Sequence, residues 1–353
     1  MLTDQTLAPA ERIVTEVHDA QAQADWEMVR ASGIGEMLAG YNLTLALAMV
    51  GETGMAAKLR EDGGCTRERL LEGLDPAMGH GLLDYLVIRG VVTDRDGDVV
   101  PTQRGRSLLS AVSMALLGYY HDAYSPVLRR GAGLLEGTLT YGRDVERDGE
   151  ALGRHCETMT RSFGTRVVMS MLDSMGARCL LDLGCGSGGL LMDACRQRPG
   201  LRAIGLDNSP EVVRYGKRRI AEAGLSDRIE LLEGDAFAPQ AWPEACAEAD
   251  AILLFGTLHE HFRCGEQAVV DVLDGYADFL GDTGKGLILA EPELYRDNVD
   301  ADFYLVHTFT RQGYPRPRDD WFKVFEKSRL RCREMVQVPN TGFRFAYFHL
   351  VPA

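Results

Sequence analysis

The spacing of apolar residues changes near the middle of the chain. In the N-terminal third they recur every three or four positions, as in EMLAGYNLTLALAMVGETGMAAKL, which predicts helices. Two further helices are predicted at RERLLEGL, with Thr66 as its N-cap, and at AMGHGLLDYLVIRG. Asp96-Gly97 between two short β-rich runs predicts a hairpin. Helices followed by a hairpin and another helix predict a mostly helical, winged-helix-like domain over residues 1–115.

The second half has a different period. Residues 151–175 carry an apolar stripe that predicts one amphipathic helix. Short apolar runs then alternate with helical stretches, at CLLDLG, LRAIGLD, IELLEGD, DAILLFG and KGLILAEPE. This alternation predicts an α/β fold with a parallel sheet covered by helices on both faces. Two β-rich runs around Asn340-Thr341-Gly342 predict a closing antiparallel hairpin. The sheet domain is expected over residues 151–353, with residues 116–150 as a connector that lines a pocket.

Composition narrows the class of protein. A chain of 353 residues with 45% hydrophobic composition can bury a sizeable core and is long enough for two domains. Its net charge of −14 disfavours a nucleic-acid partner. Eight scattered cysteines without a Cys-x-x-Cys pair indicate neither a zinc ribbon nor a disulfide framework. The N-terminus lacks the features of a signal peptide, and no apolar run approaches membrane-spanning length, so a cytoplasmic protein without a membrane partner is expected.

A glycine-rich turn, LLDLGCGSGGLL, joins a predicted strand to a predicted helix. Gly184, Gly186 and Gly188 let the backbone approach a ligand at the carboxyl edge of the sheet, where open α/β folds bind nucleotides. The glycines alone would also suit a dinucleotide enzyme. Asp182 precedes the first glycine by two residues, and Asp207 ends the next strand, spaced to take both hydroxyls of a ribose.

The third strand ends in GDAF, residues 234–237. With the glycine turn and Asp207, this motif order resembles the class I S-adenosylmethionine-dependent methyltransferases over residues 151–353. The resemblance implies S-adenosylmethionine as cofactor and a Rossmann-like seven-stranded sheet with an antiparallel last strand. It also implies that Asp235 bonds the adenine amino group and that Phe237 flanks the adenine ring. Further cofactor contacts that it implies are Met159, Asn208 and Ala236.

The fourth strand is followed by FGTLHEHF, which holds two histidines and a glutamate. The helical half together with the catalytic half resembles the small-molecule O-methyltransferases, which implies a homodimer formed through the N-terminal domain. That family carries a His-Asp pair here, and His259-Glu260 falls in its place. The resemblance implies His259 as a general base, oriented by Glu291 or Glu293. His261 is expected to be structural.

A glutamate in place of the aspartate suggests a second resemblance. His307 lies in the region expected to fold over the acceptor, and His259, Glu260 and His307 are the ligand types of a facial metal triad. The arrangement resembles the metal-dependent α-keto acid C-methyltransferases, which implies an iron or zinc ion. A metal that chelates the keto oxygen and carboxylate stabilises the enolate. Arg143 is the candidate partner of the acceptor carboxylate.

The leading hypothesis is a methyltransferase of natural-product or amino-acid-derived metabolism. It C-methylates the β-carbon of an α-keto acid, a small-molecule acceptor, through a metal-stabilised enolate. One alternative is a metal-free O- or N-methyltransferase acting on a small secondary metabolite, with His259 as general base. Another is a ligand-sensing winged-helix regulator, which is disfavoured because the presumed recognition helix, residues 76–89, holds only Arg89 as a basic residue.

Overall fold

The computed structural model describes residues 18–281, 286–338 and 344–353. The chain forms two compact units, and the boundary between them along the sequence lies between Arg106 and Ser107. The predicted boundary after residue 115 is therefore placed too late, and residues 116–150 belong to the second unit. The predicted turn at Asn340-Thr341-Gly342 lies outside the described residues.

The first unit is mostly helical and carries a small wing of three strands. Its elements are α1 (Ala20–Ala31), α2 (Ile34–Glu52), α3 (Met55–Asp62), β1 (Cys65–Thr66), α4 (Arg67–Leu70), α5 (Pro76–Ile88), β2 (Val92–Arg95), β3 (Asp98–Pro101) and α6 (Gln103–Leu108), which contains the unit boundary. The strands are antiparallel in the order β1-β3-β2. Thr66 accepts a hydrogen bond from the Arg69 amide and caps α4, as predicted. Asp96 and Gly97 both have positive φ, 53° and 93°, which suits a tight hairpin turn.

The second unit opens with helices that pack against one another. They are α7 (Ala111–Gly118), a π-helix (Tyr119–Tyr124), α8 (Ser125–Leu128), α9 (Gly131–Leu135), α10 (Gly149–Phe163) and α11 (Thr165–Met175). The single helix predicted over residues 151–175 is wrong, because the chain breaks at Gly164. A Cβ at Gly164 would lie 2.6 Å from the Phe255 ring, so the sheet presses directly against the break.

The seven-stranded sheet confirms the predicted fold class. Its strands are β4 (Cys179–Leu183), β5 (Arg202–Asp207), β6 (Ile229–Glu233), β7 (Ala251–Phe255), β8 (Gly286–Pro292), β9 (Leu330–Gln337) and β10 (Phe345–Pro352). They run in the order β6-β5-β4-β7-β8-β10-β9. Strands β4 to β8 pair in parallel, and β10 is antiparallel to both of its neighbours.

Helices cover both faces of this sheet. After α11 they are α12 (Gly189–Gln197), α13 (Pro210–Glu222), three 3₁₀ helices (Pro239–Ala241, Glu244–Glu248 and Leu258–Cys264), α14 (Glu266–Leu280), α15 (Ala301–Thr310) and α16 (Arg318–Phe325). Two apolar clusters fill the spaces on the two faces, and every residue of β4 and β8 is buried. Burial on both faces explains why the strands appear in the sequence as unbroken apolar runs. Polar groups are therefore concentrated at the carboxyl edge, where the parallel strands end.

Candidate active site

The glycine turn leaves open space above the carboxyl end of β4. Gly184, Gly186 and Gly188 have φ of 73°, 55° and 77°, conformations that glycine adopts readily and other residues rarely do. A Cβ on Gly186 would meet no heavy atom within 4 Å. Near Gly184, the buried Thr257 hydroxyl has no hydrogen-bond partner among the described residues. An open turn with an unpaired buried hydroxyl suits a polar ligand at this edge.

Two carboxylates flank the turn. Asp182 is only 4% exposed, and burial raises its pKa to about 7, with the nearby Asp207 adding to the rise. Asp207 accepts hydrogen bonds from the Gly186 amide at 2.9 Å and from the Ser209 amide at 3.0 Å. These bonds fix the Asp207 carboxylate against the glycine turn. Asn208, between Asp207 and Ser209, is exposed.

The predicted adenine contacts lie together after β6. The Asp235 carboxylate accepts a hydrogen bond from the Phe237 amide at 2.9 Å, and Tyr276 donates to the Ala236 carbonyl at 2.9 Å. The Phe237 ring lies 4.6 Å from the His261 ring, centroid to centroid. His261 Nδ1 is buried and has no hydrogen-bond partner in the described parts of the chain. His261 therefore packs against the ring of Phe237, one of the predicted adenine contacts.

Helix α10 contacts the glycine turn through Glu157, which was not predicted from the sequence. Glu157 accepts hydrogen bonds from Ser187 at 3.1 Å and from Arg219 at 2.7 and 2.8 Å. The predicted cofactor contact Met159 is buried on the same helix. A Cβ on Gly189 would lie 2.2 Å from Glu157. The glycine turn is thus tied to α10 and α13, a long-range contact with no local sequence signal.

His259 is held by a fully buried carboxylate. Glu291 in β8 is 0% exposed, and one of its oxygens accepts from the amides of Leu258 at 2.8 Å and Thr257 at 3.1 Å. The other oxygen accepts from His259 Nδ1 at 2.6 Å. Between the two acids that the sequence left open, Glu291 is the partner of His259. Its Nδ1 hydrogen bond leaves His259 Nε2 as the nitrogen available for chemistry.

Glu293, the other of these two acids, has a different set of partners. Its carboxylate accepts hydrogen bonds from the Tyr295 hydroxyl at 2.9 Å, the Gln337 amide at 2.8 Å and the Arg318 backbone amide at 3.2 Å. It lies just beyond the end of β8 and fastens the following loop to α16 and β9.

His307 on α15 faces His259. Its Nδ1 lies 2.7 Å from the Phe303 carbonyl, which can only accept, so Nδ1 carries the hydrogen. Its Nε2 lies 3.4 Å from Nε2 of His259. Burial, with the neighbouring His259 adding to the effect, lowers the pKa of His307 to about 3, so the ring is neutral. The Nε2 lone pair of His307 therefore points at His259.

The third predicted metal ligand, Glu260, is paired with an arginine. Arg147 Nη1 lies 3.0 Å from one carboxylate oxygen of Glu260, and Nη2 lies 3.4 Å from the other. Arg143, the predicted acceptor-binding residue, does not join this group. Its side chain is 71% exposed and pairs with the adjacent Asp144.

The structure thus brings His259, His307 and Glu291 into contact and adds Arg147 beside Glu260. Arg147 lies in the same charged segment as Arg143, TYGRDVERDGE, and nothing in that segment indicates which arginine turns inward. Thr257 and Glu157 were likewise not predicted, because their roles depend on contacts between distant parts of the chain.

Residues 180–284 match the family of methyltransferase domains. Over these residues the chain thus carries a methyltransferase domain, and its fold is shared with solved methyltransferase structures. Human N-acetylserotonin methyltransferase in complex with S-adenosylmethionine has the same fold, with a TM-score of 0.68 at 18% identity over 96% of this chain and all of that one.

Two curated relatives differ in the reaction that their names describe. Indolepyruvate C-methyltransferase of Streptomyces griseus is 26% identical over 306 residues, which cover 74% of this chain and 86% of that enzyme. Demethylspheroidene O-methyltransferase of Cereibacter sphaeroides is 29% identical over 179 residues, or 47% and 46% of the two chains. The chain spans less than half the length of several curated relatives that it matches.

Proposed function

We propose that the whole chain is an S-adenosylmethionine-dependent methyltransferase of secondary metabolism that C-methylates the β-carbon of an α-keto acid. The observation that carries this proposal is the pair of opposed imidazoles, His259 and His307, whose Nε2 atoms lie 3.4 Å apart. The similarity to indolepyruvate C-methyltransferase supports the acceptor class, since that alignment covers most of both chains.

The two imidazoles suit a shared cation. With Nδ1 of each ring directed at an outer acceptor, the two Nε2 atoms face each other at 3.4 Å, an arrangement that a shared cation would stabilise. Zinc binds imidazole nitrogens at about 2.0–2.1 Å, so two nitrogens on one tetrahedral ion are about 3.4 Å apart. In both rings Nδ1 bonds an outer acceptor, Glu291 or the Phe303 carbonyl, as metal-ligating histidines usually do. The two imidazole nitrogens suit iron or zinc. Glu260, which we propose as the third ligand, is paired with Arg147 in this structure and would have to leave that pair to bind the ion.

Each residue has a definable part in the proposed reaction. Glu291 fixes the ring orientation of His259, and the burial of His259 and His307 excludes water from the reacting edge. A bound ion would act as a Lewis acid, stabilising the charge that develops when the acceptor carbon loses its proton. The glycine turn and Asp207 hold the cofactor against the same edge, so that both reactants meet in a fixed orientation.

Elemental analysis of the purified protein tests this proposal. We expect about one iron or zinc ion per chain in the wild type, and none in His259→Ala or His307→Ala. The exposed His80→Ala serves as the matched control and should keep its metal. Methyl transfer to a 2-oxo acid should stop in chelator and resume when metal is restored. Protein that methylates a 2-oxo acid without metal, or metal that survives both substitutions, would contradict the proposal.

A second candidate, a metal-free O- or N-methyltransferase, is favoured by the 2.6 Å bond between His259 and Glu291. In that case His259 Nε2 takes the acceptor proton, and its loss should reduce turnover about 10²- to 10⁴-fold. Activity on a hydroxylated or amino acceptor would then be unchanged in chelator, and His307→Ala would retain most of it. These results would separate the two candidates.

We also propose a homodimer formed through the first unit. Helix α1 buries none of its residues. Large apolar side chains are exposed along α1 and α2, at Trp26, Met28, Val29, Ile34, Met37, Leu38, Tyr41 and Met49. By length and composition alone, α2 is also the one helix among the described residues that could cross a membrane. An apolar face of this extent favours a protein partner, and a second copy is the partner that the family resemblance implies.

A further inference from the structure

A carboxylate from α10 covers the start of α12, the helix that follows the glycine turn. Helix α12 begins at Gly189, and its N-cap is Gly188, which has no side chain to accept hydrogen bonds from the first amides. Both glycines are buried. A Cβ on Gly189 would lie 2.2 Å from Cδ and 2.6 Å from Oε1 of Glu157. The Glu157 carboxylate therefore fills the space beside the first residue of the helix.

Hydrogen-bond donors surround this carboxylate. Arg219 on α13 donates to both of its oxygens, at 2.7 and 2.8 Å, and the Ser187 hydroxyl in the glycine turn lies 3.1 Å away. Arg161, one turn further along α10, donates at 3.2 Å. Burial alone would raise the pKa of Glu157, yet Arg219, Ser187 and Arg161 together lower it below its usual value. Glu157 is therefore an anion at neutral pH.

The groups around Glu157 are of the kinds that bind phosphate. Enzymes that use dinucleotides hold the pyrophosphate at the N-terminus of the helix after their glycine turn, where the helix dipole and the free amides favour negative charge. Guanidinium groups bind phosphate oxygens through paired hydrogen bonds. In this chain the corresponding helix terminus has a carboxylate of the protein itself beside it.

We propose that Glu157 is a specificity-determining residue that excludes phosphate-bearing nucleotides from the glycine turn. This inference rests on the proposed function, because it takes S-adenosylmethionine as the cofactor bound there. S-adenosylmethionine shares adenosine with the dinucleotides, but it carries a sulfonium and an amino acid where they carry phosphates. Glu157 penalises a phosphate in two ways, by occupying its space and by repelling its charge.

The pairing of charges explains why the carboxylate matters. Glu157 is the one carboxylate that pairs with Arg219 among the described residues, whereas Arg161 is shared between Glu157 and Asp193. The Arg219 side chain is 26% exposed. Without Glu157 this partly buried guanidinium would lack a counter-charge, which favours the binding of an external anion. The native chain supplies the anion internally, so a phosphate gains nothing there.

Nucleotide affinity tests this proposal without reference to turnover. Adenosine and adenosine diphosphate (ADP) differ only in the two phosphates, and each would be titrated calorimetrically into cofactor-free protein without divalent cations. We expect the wild type to bind adenosine at least about tenfold more tightly than ADP, because like charges oppose each other beside Gly189.

Substitutions at Glu157 should change this preference. In Glu157→Ala the preference for adenosine over ADP should fall by at least about tenfold, because the phosphates gain both the space and the Arg219 guanidinium. Glu157→Gln keeps the shape of the side chain and removes only its charge. It should give a smaller change in the same direction, and it serves as the test if Glu157→Ala does not fold.

Asp193→Asn is the matched control. Asp193 pairs with the same Arg161 but lies one turn into α12, away from Gly189. The variant should keep the wild-type preference for adenosine. Thermal unfolding gives a second measurement, since ADP should stabilise Glu157→Ala more than adenosine does, and the wild type less.

Two failures would be distinguishable in these measurements. Glu157 variants that bind both ligands more weakly but with the wild-type preference would overturn the proposal and leave Glu157 as a fastening between α10 and the glycine turn. An equal change of preference in Asp193→Asn would overturn it as well. A wild type that binds neither adenosine nor S-adenosylmethionine would instead contradict the proposed function on which the inference rests.

Discussion

At the scale of single residues, Asp182 occupies an unfavourable position for a charge. It sits in a strand whose residues are all buried, and burial raises its pKa from 3.8 to about 7, with Asp207 adding to the rise. Between about pH 4 and 7 the folded protein holds a proton here that the unfolded chain has released. Stability should therefore fall as the pH rises through this window and level off above it.

Asp182→Asn should remove this slope. At about 1.4 kcal/mol per pKa unit, the change in unfolding free energy across the window is on the order of 4 kcal/mol. Denaturant unfolding of the cofactor-free protein at several pH values between 4 and 8 measures it, as the difference between variant and wild type. Asp227→Asn, at an exposed site, should keep the wild-type slope. Parallel curves for the wild type and Asp182→Asn would contradict the prediction.

Single residues also mark the limit of sequence reasoning. Glu291 and Glu293 are two positions apart, so strand alternation puts them on the same face and cannot choose between them. What separates them is depth, since Glu291 is the last residue but one of β8 and Glu293 lies beyond the strand end. Arg143 and Arg147 stand in an irregular segment, where no period indicates which side chain turns inward.

At the scale of elements, a substitution in the glycine turn should have two separable effects, a loss of stability from backbone strain and a loss of affinity for the cofactor. Gly186 and Gly224 both have positive φ, 55° and 66°, and a Cβ at either would meet no heavy atom within 4 Å. Alanine at each position should therefore cost a similar amount of stability, about 1–2 kcal/mol. Gly186 lies after β4, at the carboxyl edge where the cofactor is predicted to bind, whereas Gly224 follows α13 at the far end of the strands.

Only Gly186→Ala should weaken the binding of S-adenosylmethionine, because only its methyl group enters the space left for the cofactor. Thermal unfolding of the two cofactor-free variants and calorimetric titration with S-adenosylmethionine would measure the two effects. Equal loss of cofactor affinity in Gly186→Ala and Gly224→Ala would show that general destabilisation, and not the ligand space, is responsible.

The elements differed in how well the sequence predicted them. Parallel strands were visible as apolar runs because they are buried on both faces. The break between α10 and α11 was not visible, because the apolar stripe continues through it and a single glycine often lies within a helix. At the break the Phe255 ring at the end of β7 lies against Gly164, a contact that local periodicity does not report.

At the scale of the whole molecule, the exposed apolar face of α1 and α2 should control association. Leu38→Glu places a charge on that face and should convert a dimer to a monomer in sedimentation at micromolar concentration. Leu135→Glu, on α9 and 76% exposed, is the matched control and should leave the dimer intact. A monomeric wild type would contradict the homodimer, and wild-type binding to lipid vesicles would assign the face to a membrane.

The division into units was predicted less well than the sheet. Residues 116–150 were expected to form a separate connector, but Tyr119, Ala123 and Tyr124 are buried in a cluster with Ala151 and Met159 of α10. Which helices share a core is decided by tertiary packing, and a stretch rich in tyrosine, glycine and charge gives no local sign of it.

The π-helix over Tyr119–Tyr124 has a consequence for how this site could change over time. Its wider turns hold more residues than those of an α-helix. Its last residue, Tyr124, is buried in the core and also accepts a hydrogen bond from Arg147 through its hydroxyl. Deleting one residue there would let the segment rewind as an α-helix and would change the backbone hydrogen-bond register of Tyr124 and the turn before it. The position of the Tyr124 hydroxyl therefore depends on the length of this segment more than on its composition. A one-residue deletion would alter the site more than a conservative replacement.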